Sequence, residues 1–135
     1  MSNPIENIEG IGPAYADKLA LAGIKTTEAL LNACNNAAGR KTTAEQTGLS
    51  EPQILKWTNM ADLMRITGVG SEYAELLEAA GVDTIKELRN RNAENLAASM
   101  LEVNNQKSLT RIVPSASVVS SWVDQAKGME PMITH

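Results

Sequence analysis

Two residue types that build many catalytic and metal sites are almost absent from this sequence. Its 135 residues include one cysteine, Cys34, and one histidine, the terminal His135. Nucleophiles activated by histidine need an ordered imidazole, and terminal residues are commonly poorly ordered. Zinc sites need several Cys and His ligands, and no GxxxxGK[ST] phosphate loop is present. We therefore expect no enzyme activity, no metal and no cofactor.

Aromatic residues are equally scarce. Phenylalanine is absent, and the aromatics, 3% of the chain, are Tyr15, Trp57, Tyr73 and Trp122. A core without phenylalanine must be filled by aliphatic side chains and methionine, which favours close-packed helices. A length of 135 residues is sufficient for one domain or two small units.

The sequence also lacks features that would direct the protein out of the cytoplasm or into a membrane. One cysteine excludes an intramolecular disulfide and indicates a reducing compartment. The first ten residues lack the basic and apolar regions of a signal peptide, and no apolar run approaches the roughly 20 residues that span a bilayer. We expect a cytoplasmic protein without membrane partners.

The chain contains an internal duplication, which is the first feature to seek in a sequence. IEGIGPAYADKLALAGIKTTEALLN (8–32) returns as ITGVGSEYAELLEAAGVDTIKELRN (66–90), with eleven identical positions. A looser match relates 50–61 to 115–126 and pairs Trp57 with Trp122. The predicted organisation is a repeat over 1–64, a second over 65–127 and a flexible tail over 128–135.

Helix signals fill both repeats. Thr26, Ser50, Thr84, Asn92 and Ser115 are predicted helix caps. A further helix is expected from about Lys41 to Thr47, after a stop before Gly39. No alternation typical of strands is convincing, so the predicted fold is all-α.

Each repeat opens on the pattern h-x-G-h-G-x-x-x-A-x-x-L, where h is aliphatic. It reads Ile8-Glu9-Gly10-Ile11-Gly12 in the first copy and Ile66-Thr67-Gly68-Val69-Gly70 in the second. Two glycines permit a tight reversal that a Cβ would oppose, and the aliphatic residue between them plugs the turn into the core.

These motifs resemble the helix-hairpin-helix superfamily. The whole chain is also similar to a bacterial family of small tandem helix-hairpin-helix proteins of uncharacterised function. The resemblance implies two tandem repeats packed as one compact domain with approximate internal twofold symmetry. It also implies DNA binding without base specificity, because outward amides at a helix start can hold a phosphate oxygen. The implied nucleic-acid-binding residues are Gly10, Ile11, Gly12, Lys18, Gly68, Val69, Gly70 and Ser71.

The charges around the hairpins leave two interpretations open. Hairpins that bind DNA usually carry Lys or Arg just after the second glycine, where this chain has Pro13-Ala14 and Ser71-Glu72. The net charge of −4 also opposes binding to phosphates. The leading interpretation is weak, sequence-independent binding of the DNA backbone. The alternative is a protein–protein adaptor on the same scaffold, with no nucleic-acid binding.

Overall fold

The computed structural model describes residues 3–134, and in this range the fold is all-α, as predicted. Met1, Ser2 and the terminal His135 lie outside the described residues. Between residues 3 and 134 there are eight α-helices, a 3-10 turn and no strand; Pro4 and Thr26 form an isolated bridge. The 3-10 turn is Ile5–Asn7, and the helices are α1 (Pro13–Ala20), α2 (Thr27–Cys34), α3 (Ala37–Thr47), α4 (Glu51–Leu63), α5 (Ser71–Ala79), α6 (Ile85–Leu88), α7 (Ala93–Lys107) and α8 (Ala116–Lys127).

The chain divides into two compact units. Unit 1 runs to Asp62 and resumes at Met132, whereas unit 2 is Leu63–Pro131. The boundary therefore falls inside α4, close to the predicted boundary after residue 64. The approximate twofold symmetry stays a prediction.

Each unit has its own apolar core. In unit 1, α3 packs against α1 and α2. In unit 2, α7 packs against α5 and α8, and α8 also packs against α6. The fully buried large side chains are mostly aliphatic, as a chain without phenylalanine requires; they include Ile8, Leu19, Leu30 and Ile54 in unit 1 and Ile66, Leu76, Leu77 and Trp122 in unit 2.

Side-chain caps begin many of the helices, because the first amides of a helix lack an intrahelical acceptor. Thr26 Oγ1 accepts from the Ala29 amide at 3.0 Å, and Asn92 Oδ1 accepts from Asn95 at 3.0 Å. Thr84 and Ser115 cap α6 and α8 in the same way, and Ser50 Oγ accepts from the Gln53 amide at 3.3 Å. These predicted caps are confirmed.

The start predicted for the α3 helix is wrong. The sequence predicts one helix that stops before Gly39 and another that begins at about Lys41, but α3 begins at Ala37 and contains Gly39. Asn36 Oδ1 accepts from the Gly39 amide at 2.7 Å and caps the helix. A Cβ at Gly39 would collide with the Ala33 carbonyl, so close packing explains this glycine.

The segment predicted as a flexible tail is attached to unit 1. After α8, the chain continues without regular structure, and Ile133 is buried. The Thr134 amide donates to the Asn35 carbonyl at 2.8 Å. Residues 132–134 thus belong to unit 1, whereas residues 128–131 of the predicted tail belong to unit 2.

Replacing Thr26 with alanine should destabilise the protein by about 1 kcal/mol, because the Ala29 amide loses its acceptor. Urea unfolding monitored by circular dichroism measures the loss. Thr26→Ser retains the acceptor and should stay within a few tenths of the parent; an equal loss in both variants would contradict the role of this cap.

Candidate functional site

Gly10 and Gly68 hold the two candidate hairpins in a conformation that glycine adopts easily. Their φ angles are +93° and +97°, in a region that side chains disfavour. A Cβ added at Gly68 would lie 3.2 Å from Trp122 Nε1, and one at Gly10 would lie 3.7 Å from Trp57 Nε1. The first glycine of each motif is therefore required by the backbone, and the space above Gly68 is also tight.

The residue between the two glycines is a buried plug, as the motif predicted. Ile11 is 4% exposed and Val69 is 5% exposed. Their amides donate inside the turn, Ile11 to the Ile8 carbonyl and Val69 to the Ile66 carbonyl, each at 3.1 Å. These two amides are thus already engaged, whereas the sequence analysis expected them to point outward to a ligand.

Gly12 and Gly70 differ from the glycines that precede them. They are exposed helix caps with φ of −90° and ψ of −174° and −172°, an extended conformation open to any residue. Nothing lies within 4 Å of a Cβ added at either position. Neither the backbone nor the packing of this chain therefore requires a glycine there.

Each hairpin rests on a tyrosine–tryptophan pair. The rings of Tyr15 and Trp57 have centroids 5.2 Å apart and tilt by 60°, and those of Tyr73 and Trp122 are 5.4 Å apart at 51°. Both tryptophans are buried, at 3% and 2% exposure, which agrees with their predicted role as core anchors. Sequence reasoning missed their contact with the first hairpin glycine, although the matched spacing of the pairs was a signal for it.

Helix α1, which follows the first hairpin, carries Asp17 and, in its last turn, Lys18. Lys18 is exposed on α1, and its Nζ lies 5.9 Å from the centre of the Tyr15 ring. The first turn of α1 carries no acidic residue. Pro13 at the first helical position has no amide hydrogen, so the donors of this turn begin at Ala14.

The second hairpin is tied to its own unit by polar contacts. The Gln125 side chain accepts from the Thr67 amide at 3.0 Å and donates to the Thr67 carbonyl at 3.2 Å. The Tyr73 hydroxyl donates to the Ile112 carbonyl at 2.9 Å. Glu72 lies in the first turn of α5, directly after the half-buried Ser71.

The sequence profile of one family, described as "Domain of unknown function (DUF4332)", matches residues 9–129. The chain belongs to this family. The match covers both glycine hairpins of this DUF4332 chain and most of both units. Searches of curated proteins and of solved structures found no match.

Residues 3–134 contain no group of three or more His, Cys, Asp or Glu side chains placed to hold a metal ion. Over the same residues, no helix combines the length and the apolar character needed to cross a membrane.

Cys34 is a buried thiol. Its Sγ lies 3.4 Å from Thr43 Oγ1, and its exposed fraction is 0%. Burial raises the pKa of the Cys34 thiol, and the Thr43 hydroxyl and the Arg40 charge offset part of that rise. The side chain is a small buried apolar group, as expected from its position on an apolar helix face.

The two glycines of one motif should respond differently to the same substitution. Gly68→Ser should destabilise the protein by about 1 to 3 kcal/mol, because a side chain is strained at this φ and meets Trp122. Gly70→Ser should change stability by only a few tenths, because serine is a good helix cap in open space. Urea unfolding of both variants tests this difference; equal losses would contradict it.

The raised pKa of Cys34 predicts a loss of stability at alkaline pH. The folded chain disfavours the thiolate, so the unfolded chain loses its proton first as the pH rises through the ordinary thiol pKa. The free energy of unfolding should therefore fall more steeply in the parent than in Cys34→Ala, measured by urea unfolding between pH 7 and 10. Parallel declines would show that another group is responsible.

Proposed function

We propose that this protein is a non-catalytic module that binds the phosphate backbone of DNA without reading the bases, with the first hairpin as its main contact. The observation that carries the proposal is that Gly12 stands at a position that does not require glycine. This glycine caps α1 in an exposed position where the backbone and the packing would accept a side chain. Glycine at such a place allows an external group to approach the backbone closely.

The helix that follows Gly12 supplies the chemistry for an anion. Its first amides have no intrahelical acceptor and lie at the positive end of the helix dipole. A phosphate oxygen placed over Gly12 would face these amides, beginning at Ala14. The bound group would contact backbone atoms, which explains recognition without sequence preference.

Electrostatics favour the first hairpin over the second. The first turn of α1 carries no acidic residue, and Asp17 and Lys18 balance each other later in that helix, whereas Glu72 adds a negative charge to the first turn of α5. The polar groups of Gln125 and Tyr73 also form hydrogen bonds within unit 2. We infer that the second hairpin contributes less to binding and has a mainly structural role.

The two hairpin segments are, in this proposal, copies of one helix-hairpin-helix unit. This part of the proposal is supported by two features that recur 58 residues apart in the chain. Gly10 and Gly68 have similar positive φ angles. The same turn hydrogen bond joins Ile11 to Ile8 and Val69 to Ile66. The predicted twofold arrangement and a cytoplasmic location belong to the same proposal.

An apolar surface beside the first hairpin favours a second candidate, a protein–protein adaptor. Leu21, at the end of α1, is 75% exposed. A groove of about 440 Å³ lies along the same helix, and its lining combines Pro4, Ile5, Ala16 and Ala20 with the charged Glu6, Asp17 and Lys25. Exposed apolar side chains beside a groove are a common feature of protein-binding surfaces.

Titration of the full chain with duplex, branched and single-stranded DNA at low salt tests the proposal. Gly12→Leu should weaken binding at least tenfold, because its side chain covers the first-turn amides, whereas Gly70→Leu should weaken it less than threefold. The logarithm of the affinity should fall with the logarithm of salt by about 0.9 per neutralised phosphate on duplex DNA. Absence of binding at low salt would overturn the proposal and favour the adaptor.

A matched charge reversal separates a local contact from a general effect of net charge. Lys18→Glu should reduce the affinity for duplex DNA by roughly five- to tenfold through the loss of one phosphate contact and the repulsion that replaces it. Lys107→Glu makes the same charge change at the end of α7 and should have a smaller effect. Equal losses would assign the binding to overall charge.

A further inference from the structure

Unit 1 contains a buried arginine that holds a short segment without regular secondary structure. Arg40, on α3, is 5% exposed. Its Nη1 donates to the Cys34 carbonyl at the end of α2, at 3.0 Å, and its Nη2 donates to the Thr134 carbonyl at 2.9 Å. One guanidinium thus joins the α2 terminus to Thr134, which is 94 residues from Arg40 in sequence.

The captured segment is bound as a peptide ligand would be bound. The Thr134 amide donates to the Asn35 carbonyl at 2.8 Å, so both main-chain polar groups of Thr134 are engaged. The Ile133 side chain is 7% exposed. Main-chain hydrogen bonds with a pocket for one apolar side chain are the usual means of holding an extended peptide.

The chain between α8 and Ile133 would allow the bound segment to be replaced by another copy of it. After α8 the chain has no regular secondary structure, and Gly128, Glu130 and Pro131 are exposed. The Glu130 carbonyl accepts from Arg65 Nη1 at 3.1 Å. The rest of the attachment consists of the hydrogen bonds at Thr134 and one buried side chain, so it should open at a lower cost than the unit unfolds.

We propose that the surface formed by Arg40, Asn35 and the end of α2 is a binding site for an extended peptide. The ligand carries a β-branched apolar residue followed by a residue with a main-chain amide, as in Ile133–Thr134. The chain fills the site with its own segment, and a second copy of the chain supplies the same ligand when that segment is released. This site is separate from the hairpins and does not depend on their proposed function.

The test uses the full chain and an amidated synthetic peptide with the sequence of residues 129–134. Ile133→Asp/Thr134→Pro releases the chain's own segment, because it removes the apolar side chain and the amide donor. Peptide binding, followed by ¹⁵N NMR at Asn35 and Arg40, should be at least tenfold tighter for this variant than for the parent. Thr134→Ser keeps both the amide and the hydroxyl that donate to the Asn35 carbonyl, at 2.8 and 3.4 Å, and should behave as the parent does.

Adding Arg40→Gln to the released variant should weaken peptide binding at least tenfold while the circular dichroism spectrum stays helical. If that variant fails to fold, Arg40→Lys replaces it, and reduced peptide affinity is again expected because the two-pronged donor is lost. Failure of the folded, released variant to bind the peptide would overturn the proposal. Binding that is unaffected by the substitution at Arg40 would overturn it as well.

Discussion

Both hairpins depend on a glycine in a left-handed conformation that lies against a buried tryptophan. Gly10 and Gly68 reverse the chain at φ near +95°, and the indole nitrogen of Trp57 or Trp122 lies close to the place where a side chain would begin. The tryptophan comes from a helix far along the chain, so it joins the turn to the core of its unit. This contact fixes the direction in which the next helix begins.

That fixed helix start has different surroundings in the two hairpins. Gly12 and Gly70 are equally open caps, but the first turn of α1 carries no acidic residue. The second hairpin carries Glu72 and is tied down by Gln125. Unequal surfaces are expected when one of two similar hairpins binds a ligand and the other serves packing. The proposed DNA-backbone contact therefore concerns one hairpin mainly, although the motif occurs twice in the sequence.

Local features of the fold could be predicted from the sequence, because caps such as Thr26 and Asn92 act on amides three residues away. The helical start at Ala37 could not be predicted, since Gly39 lies inside that helix and is there because a Cβ would collide with the Ala33 carbonyl. The capture of Thr134 by Arg40 was missed for a similar reason, because it joins residues that are distant in sequence. For the site, the motif predicted the turns and their buried plugs, but the inward amides of Ile11 and Val69 required coordinates.

The most direct measurement is ¹⁵N NMR of the full chain during titration with a short DNA duplex at low salt. Backbone amides of Gly12, Ala14 and Tyr15 should show the largest shifts, and those of Gly70, Glu72 and Tyr73 should shift much less. Such a pattern would locate the phosphate at the open end of α1. Shifts that spare the first turn of α1, or that are equal at both hairpins, would contradict the role assigned to Gly12.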